Sequence, residues 1–267
     1  MFLTQIIVLS IIQGLTEFLP ISSSGHLVLF PHFLGWKDQG IEMDVAVHVG
    51  TLGAVLLYFW KDVLSMIGGA FSLIRGKVTP GGQLFIFLCI GTIPAIIFGL
   101  ILSSYGMDKL RSPIVIAWTM IIYGVVMYAV DKACEQVKSI KHVTGLSAFV
   151  IGCAQALALI PGTSRSGACM TMMRLYGFKR PDAAKFSFLL SIPAITAAAG
   201  LTGFKMVKAG RFWDASSDMA IAACIALVAG FLAINFMLTW LRSRDFTPFV
   251  IYRLVLGGII LLWFQYL

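Results

Sequence analysis

The chain has 267 residues, of which 59% are hydrophobic and 12% carry a charge, and its mean hydropathy is +0.92. Soluble domains carry about 25% charged residues, so this composition excludes an ordinary soluble fold and indicates an integral membrane protein. The net charge of +8 is dispersed over short polar segments, which fits membrane orientation and argues against nucleic acid as a partner.

The first apolar run, residues 2–16, is too short to cross a bilayer. As a helix, about 15 residues reach only about 22 Å, whereas the hydrocarbon core is roughly 30 Å thick. The run ends in the cluster PISSSGH of residues 20–26. A broken backbone at membrane depth is tolerated only inside protein or beside a water-filled cavity. Residues 2–35 are therefore predicted to form a re-entrant helix–loop–helix hairpin, with an ordinary span that has ragged ends as the alternative.

Six later segments are long and apolar enough to be predicted as transmembrane helices: 45–60, 84–104, 113–130, 186–204, 219–241 and 248–267. Between the third and fourth of them, residues 143–160 form a second short run that ends in PGTSRSG at 161–167. A second re-entrant hairpin is predicted over residues 143–180, with the same alternative. The predicted fold is all-α and polytopic, with six transmembrane helices and two opposed re-entrant hairpins in a single integral membrane domain, residues 1–267.

The two halves of the chain, about 1–130 and 143–267, are predicted to be an internal repeat. Gln13 lies seven residues before Pro20 and Gln155 lies six before Pro161, and serines and a glycine follow each proline. Loops on one face carry 12 Lys and Arg residues, against 5 on the other, so the richer face is predicted to be cytoplasmic. The first hairpin then enters from outside and the second from the cytoplasm. The repeats are therefore inverted, and their polar tips can meet near the midplane.

The first tip places Glu17 in an apolar run, four residues after Gln13. A carboxylate at membrane depth costs about 3 kcal/mol, so Glu17 is interpreted as functional. Because Gln13 shares its helix face, the two oxygen ligands suit a hard cation such as Mg²⁺ or Ca²⁺. The alternative is a glutamate that is satisfied by hydrogen bonds or by an arginine.

The same tip contains hydroxyls at Ser22, Ser23 and Ser24, followed by Gly25 and His26. A serine beside a histidine base is a typical nucleophile, and a glycine lets the backbone approach a ligand. Serine caps before a helix are the alternative. Attack by Ser23, with His26 handling protons, is weighed against direct attack by a metal-bound water, in which case the serines only hold the phosphate.

The second tip contains Ser164, Arg165, Ser166 and Gly167 at the start of a predicted helix. Helix N-terminal amides, hydroxyls and a guanidinium group converge naturally on phosphate oxygens. An arginine also stays charged when buried, which suits stabilisation of a phosphoryl-transfer transition state. The alternative is an arginine that neutralises Glu17, and the two interpretations are compatible. Together the tips predict a charged pocket for the phosphate group of a substrate whose remaining part is lipid.

At these residues the chain resembles the undecaprenyl-diphosphate phosphatase family, the bacitracin-resistance proteins. The family motif (E/Q)GxxE followed by PxSSxGH occurs as QGLTEFLPISSSGH at 13–26, and PGxSRSxxT occurs as PGTSRSGAC at 161–169. The resemblance covers essentially the whole chain. It implies hydrolysis of undecaprenyl diphosphate to the monophosphate, which recycles the lipid carrier of cell-wall synthesis and confers resistance to bacitracin. A divalent cation is implied as cofactor.

Carried over by position, the resemblance implies catalytic roles for Glu17, Ser23, His26 and Arg165. It implies phosphate binding for a larger set: Ser22, Ser24, Gly25, Ser164, Arg165, Ser166 and Gly167. Gln13 stands where many members have a second glutamate, which weakens the case for a metal site with two carboxylates. Cys169 stands where the motif ends in threonine, and Thr171 is the candidate to replace its hydrogen bond.

The resemblance implies a multi-pass protein of the bacterial cytoplasmic membrane whose active site opens to the extracytoplasmic side. The chief rival is a transporter or flippase of the same lipid, because inverted repeats with re-entrant hairpins are typical of transporters. A structural membrane protein without activity is a third alternative, which fits poorly with a buried Glu17 and Arg165. A homodimer is left open as a further partner.

Overall fold

α-Helices make up most of the computed structural model, which describes residues 2–36, 39–105, 108–209 and 217–266. Arg211, one of the five cations counted on the cation-poor face, lies outside the described residues. In chain order the helices are α1 (Leu3–Phe18), α2 (Ser23–Phe33), α3 (Gly40–Tyr58), α4 (Trp60–Ile74), α5 (Pro80–Tyr105), α6 (Pro113–Ala133), α7 (Gly145–Leu157), α8 (Arg165–Leu175), α9 (Arg180–Lys208), α10 (Ser217–Trp240) and α11 (Thr247–Tyr266).

Five of the described helices, α5, α6, α9, α10 and α11, are long and apolar enough to cross a membrane. The predicted spans at 84–104, 113–130, 186–204, 219–241 and 248–267 match them within a few residues. The remaining predicted span, 45–60, falls on α3, which meets α4 at a bend of 86°. If that bent pair is one span, the described chain has six, in agreement with a polytopic membrane protein.

Segment 61–80 was counted among the cation-rich loops in the sequence analysis, but residues 60–74 form α4. Its apolar residues Leu64, Ile67, Phe71 and Ile74 recur at helical spacing and are exposed on one face. Met66 and Gly69 are buried on the other side. The segment was assigned as a loop because Lys61 and Arg75 lie near its ends, and the apolar helical pattern between them was not weighed.

Two units of the fold consist of a short helix, a tight turn and a second helix: α1–α2 and α7–α8. α1 and α7 are apolar but shorter than the five spanning candidates. Ser22 caps α2 with φ +74°, and Ser164 caps α8 with φ +73°. These are the non-glycine residues with positive φ in the described part of the chain, and each cap accepts a hydrogen bond from a glycine amide three residues later. The two turns therefore have the same local structure.

Each of these units packs mainly against the other half of the chain. α1 lies on α10, α7 lies on α5, and α6 lies on α11. Close approach is possible because Gly14 faces the α10 backbone and Gly152 faces the α5 backbone, where a Cβ atom would clash. Small residues at helix contacts are typical of membrane proteins, in which packing replaces hydrophobic exclusion. Because each unit packs against helices of the other half, the two turns lie in contact with each other.

A buried ionic cluster fixes the far end of the α7–α8 unit. Arg174 of α8 is 1% exposed, and its Nε donates to Asp131 of α6 over 2.8 Å. Its Nη1 and Nη2 atoms donate to main-chain carbonyls that include those of Cys134 and Phe178. Arg180 completes the cluster from the start of α9. A buried ion pair holds geometry more than it adds stability, and here it ties α8 to α6.

Candidate active site

Glu17 lies at the centre of the site, in the last turn of α1, with 5% of its side chain exposed. Its Oε2 atom accepts hydrogen bonds from Ser23 Oγ over 2.6 Å and from Gln13 Nε2 over 2.9 Å. Its Oε1 atom accepts from Arg165 Nη2 over 2.9 Å. A buried carboxylate is tolerated when donors replace its water, and these donors come from both helix–turn–helix units.

Arg165 divides its guanidinium group between two elements. Nη2 contacts Glu17, and Nη1 donates to the main-chain carbonyl of Ser187 in α9 over 3.0 Å. As the first residue of α8, it also lies where helix amides point outward. The side chain as a whole remains 17% exposed while making these contacts.

The two tips are fastened to each other by serine hydroxyls. Ser22 Oγ accepts from the amide of Gly162 over 3.1 Å, and Ser166 Oγ donates to the carbonyl of Leu19 over 3.1 Å. Ser164 serves as the cap of α8. These hydroxyls, which are assigned to phosphate binding by resemblance, thus also hold the backbone of the tips.

The remaining residues of the predicted phosphate cradle surround these caps. The amides of Gly25 and Gly167 donate to the capping serines. Ser24 Oγ lies 3.4 Å from Ser22 Oγ and is half-buried. Thr171 donates its hydroxyl to the carbonyl of Gly167, a residue of the second tip, over 2.8 Å within α8.

His26 points away from Ser23, although both residues belong to the first turn of α2. Its Nδ1 atom lies 2.7 Å from the carbonyl oxygen of Ser22, and its Nε2 atom lies 2.6 Å from the hydroxyl of Tyr252 in α11. The predicted Ser23–His26 pair is therefore not formed in this structure. The spacing of three residues was correct for a shared helix turn, but the Glu17 carboxylate binds Ser23 and α11 binds the imidazole.

Three residues of the site lie outside the motifs and were not predicted. His48 of α3 places Nε2 3.7 Å from Glu17 Oε2, while its Nδ1 lies 2.6 Å from the carbonyl oxygen of Asp44. Tyr252 contacts His26, and Arg253 contacts both tips. Each belongs to an apolar helix, so the only sequence signal for a role in the site was a polar residue within an apolar segment.

Arg253 is buried, with 1% of its surface exposed, and its guanidinium group donates to four main-chain carbonyls. Nη1 reaches Pro20 in the first tip over 3.1 Å, and Nη2 reaches Gly162 in the second over 3.0 Å. The other two acceptors, Met120 and Thr119, belong to α6. One side chain of α11 thus joins both tips to α6.

The side chains around Glu17 offer few ligands for a cation. Within the described chain, no group of three His, Cys, Asp or Glu residues converges on a point. Gln13 is fully buried, and its Oε1 atom has no hydrogen-bond partner. One carboxylate, one free amide oxygen and the His48 nitrogen therefore form a sparse donor set, which fits a cation that takes further ligands from substrate or water.

Comparison with known proteins connects this geometry to a family. The family model described as "Bacitracin resistance protein BacA" matches residues 6–259. The chain is 50% identical to "Undecaprenyl-diphosphatase" of Dinoroseobacter shibae, over 98% of each chain. It is 46% identical to "Undecaprenyl-diphosphatase 1" of Rhodospirillum rubrum, over 98% of this chain and 95% of the relative. The relative from Campylobacter curvus is 46% identical and is covered completely. The chain therefore belongs to the BacA family of bacitracin resistance proteins.

Proposed function

We propose that this protein hydrolyses undecaprenyl diphosphate to undecaprenyl phosphate and inorganic phosphate. The relatives that carry the diphosphatase name are similar over the full length of the chain. The observation that carries the proposal is the contact of Glu17 with both Ser23 and Arg165 where the two tips meet. A carboxylate that accepts a serine proton, next to a guanidinium fork, is equipped for phosphoryl transfer.

In the proposed reaction, Ser23 Oγ attacks the terminal phosphorus and transfers its proton to Glu17. The bond from that phosphorus to the bridging oxygen breaks, and undecaprenyl phosphate leaves with the bonding electrons. Water then attacks the phosphoserine, Glu17 returns a proton to Ser23, and phosphate is released. Arg165 moves one or both of its donors onto the phosphate oxygens, which gather charge in the transition state. Direct attack by water, with Ser23 only binding phosphate, is the alternative route.

We include a divalent cation, Mg²⁺ or Ca²⁺, in the proposal. Glu17 and the free Oε1 of Gln13 would hold it, and His48 adds a nitrogen donor beside the same carboxylate. When bound, the cation supplies positive charge against the diphosphate. Because Arg165 already neutralises Glu17, we expect the cation to enter together with the negatively charged substrate.

We also propose that α1–α2 and α7–α8 are re-entrant hairpins of an inverted repeat in the bacterial cytoplasmic membrane. The short lengths of α1 and α7, the matching serine caps and the exchanged packing partners support this. The distribution of Lys and Arg then brings the first hairpin, with Glu17 and Ser23, in from the extracytoplasmic side.

The direct test is phosphate release by the purified protein in detergent. We expect metal-dependent release of one phosphate per undecaprenyl diphosphate and a loss of at least about 100-fold in the Glu17→Gln variant. Transport cannot occur without two compartments, so a lipid transporter would release nothing under these conditions. A well-folded protein that leaves the diphosphate intact at saturating metal would refute the proposal.

A further inference from the structure

His26 is held at both ring nitrogens, and this determines where its proton lies. The Ser22 carbonyl can only accept a hydrogen bond, so Nδ1, 2.7 Å away, carries the hydrogen. The ring is buried and its two partners in the described chain are a carbonyl and a hydroxyl, with no carboxylate to balance a positive charge, so it is neutral and Nε2 is an acceptor. The hydroxyl of Tyr252, 2.6 Å from Nε2, must be the donor. The two contacts together specify one tautomer and one ring orientation.

The ring of Tyr252 supports this arrangement by packing. Its centroid lies 5.7 Å from that of His26, with an angle of 13° between the planes. The imidazole is buried, with 3% of the residue exposed, whereas Tyr252 also lines a groove of about 440 Å³ with Leu19 and Ile21 of the first tip. A change of Tyr252 to phenylalanine would keep this packing and remove only the donor.

We propose that Tyr252 is a positioning residue for the phosphatase reaction, which holds His26 as its Nδ1-protonated tautomer against the first tip. This inference rests on the proposed function. His26 Nδ1 is bonded to the carbonyl of Ser22, the residue whose hydroxyl fastens the two tips. A misplaced imidazole therefore changes the tip that carries Ser23. A ring without this contact can also rotate and expose its other tautomer; for histidines that bind metals, loss of the orienting partner lowers affinity or activity about 10- to 100-fold.

The kinetic test compares Tyr252→Phe with Tyr58→Phe as a matched control. The hydroxyl of Tyr58 contacts Asn235, away from the tips. We expect kcat to fall about 10-fold or more in Tyr252→Phe with a much smaller change in KM, because Arg165 and the second tip keep their contacts. Tyr58→Phe should match the unmodified protein. If the unmodified protein releases no phosphate, the proposed function fails. If it is active and Tyr252→Phe is equally active, only the positioning role fails.

A second measurement is independent of turnover. The chain has four histidines, so nitrogen-15 spectra of histidine-labelled protein in detergent can be assigned with single substitutions. We expect His26 to show a protonated Nδ1 and an unprotonated, hydrogen-bonded Nε2. Tyr252→Phe should shift the Nε2 signal toward that of a free imidazole nitrogen, whereas Tyr58→Phe should not. A proton on Nε2 in the unmodified protein, or an Nε2 signal that ignores the Tyr252 change, would overturn the assignment.

Discussion

Glu17 and Arg165 lie 148 residues apart in the chain and form a contact of 2.9 Å between Oε1 and Nη2. The first belongs to the α1–α2 unit and the second opens α8. Their ion pair therefore joins the two tips at the position where the substrate phosphate is proposed to bind. A phosphate that enters must compete with Glu17 for the guanidinium group, so the pair also keeps Arg165 in place before substrate arrives.

Arg165→Lys should not behave as a conservative change. Lysine keeps the charge but loses the planar fork that can hold two oxygens at once, so we expect kcat to fall by about 10³-fold. The matched control is Arg180→Lys. Arg180 is 18% exposed, close to the 17% of Arg165, and also pairs with a buried carboxylate, but it lies away from the tips. Normal turnover in Arg165→Lys would reduce Arg165 to a partner that only neutralises Glu17.

Labelled undecaprenyl diphosphate should transfer phosphate to Ser23. In rapid-quench experiments we expect protein-bound label in the unmodified enzyme and none in Ser23→Ala. The control is Ser24→Ala. Ser22→Ala is less suitable, because Ser22 Oγ accepts hydrogen bonds from two amides and its loss would disturb both tips. Ser24→Ala should retain the label. The absence of label throughout, with substantial activity in Ser23→Ala, would assign the attack to water.

Gln13→Glu should become dependent on metal for its stability. A carboxylate at position 13 would face that of Glu17 within one buried pocket, so the variant without metal should unfold at lower temperature. A cation between the two groups should reverse this, by about 2.7 kcal/mol at 100 times its dissociation constant. Thermal unfolding with and without Mg²⁺ or Ca²⁺ measures the effect.

Gln155→Glu is the control for this experiment. Gln155 is the corresponding residue of the second unit, is also buried, and has an unpartnered Oε1, but its amide contacts the carbonyl of Gly91 instead of a carboxylate. We expect the same loss of stability without rescue by metal. Equal rescue at both positions, or none at position 13, would count against Gln13 as a ligand.

Arg253→Lys should weaken the junction of the tips. An ammonium group cannot reach all four carbonyls that the guanidinium group now satisfies, and buried carbonyls without donors are costly. We expect a loss of about 3 kcal/mol of stability, measured by unfolding in detergent. Arg242→Lys, at an exposed position beyond α10, should be neutral. Unchanged stability of Arg253→Lys would mean that Arg253 does not help to hold the tips together.

The tips were predictable from sequence because their composition is unusual for a membrane chain. Pro20 and Pro161, with the serines and glycines that follow them, mark breaks in apolar runs, and the breaks occur where the structure places the turns. Glu17 and Arg165 could be selected because a charge at membrane depth needs a reason. Their contact also agrees with the predicted convergence of the two tips.

The support for the tips could not be predicted in the same way. Tyr252 and Arg253 lie in an apolar span, and their contacts with His26 and Pro20 cross more than 220 residues of sequence. Neither periodicity nor local spacing can predict a contact between residues so far apart in the sequence. The orientation of His26 likewise depends on α11, so the local spacing to Ser23 was a poor guide to its partner.

Tyr252 and Arg253, the two residues of α11 that contact His26 and the tips, also impose an order on biosynthesis. Ribosomes make the chain from its N-terminus, so α1–α2 and α7–α8 are synthesised before Tyr252 and Arg253 exist. A chain stalled after α10 holds Glu17, Ser23 and Arg165, yet nothing from α11 ties its tips together or fixes its imidazole. We expect enzymatic competence to begin only when α11 is inserted, so that unfinished chains in the membrane leave the lipid carrier untouched.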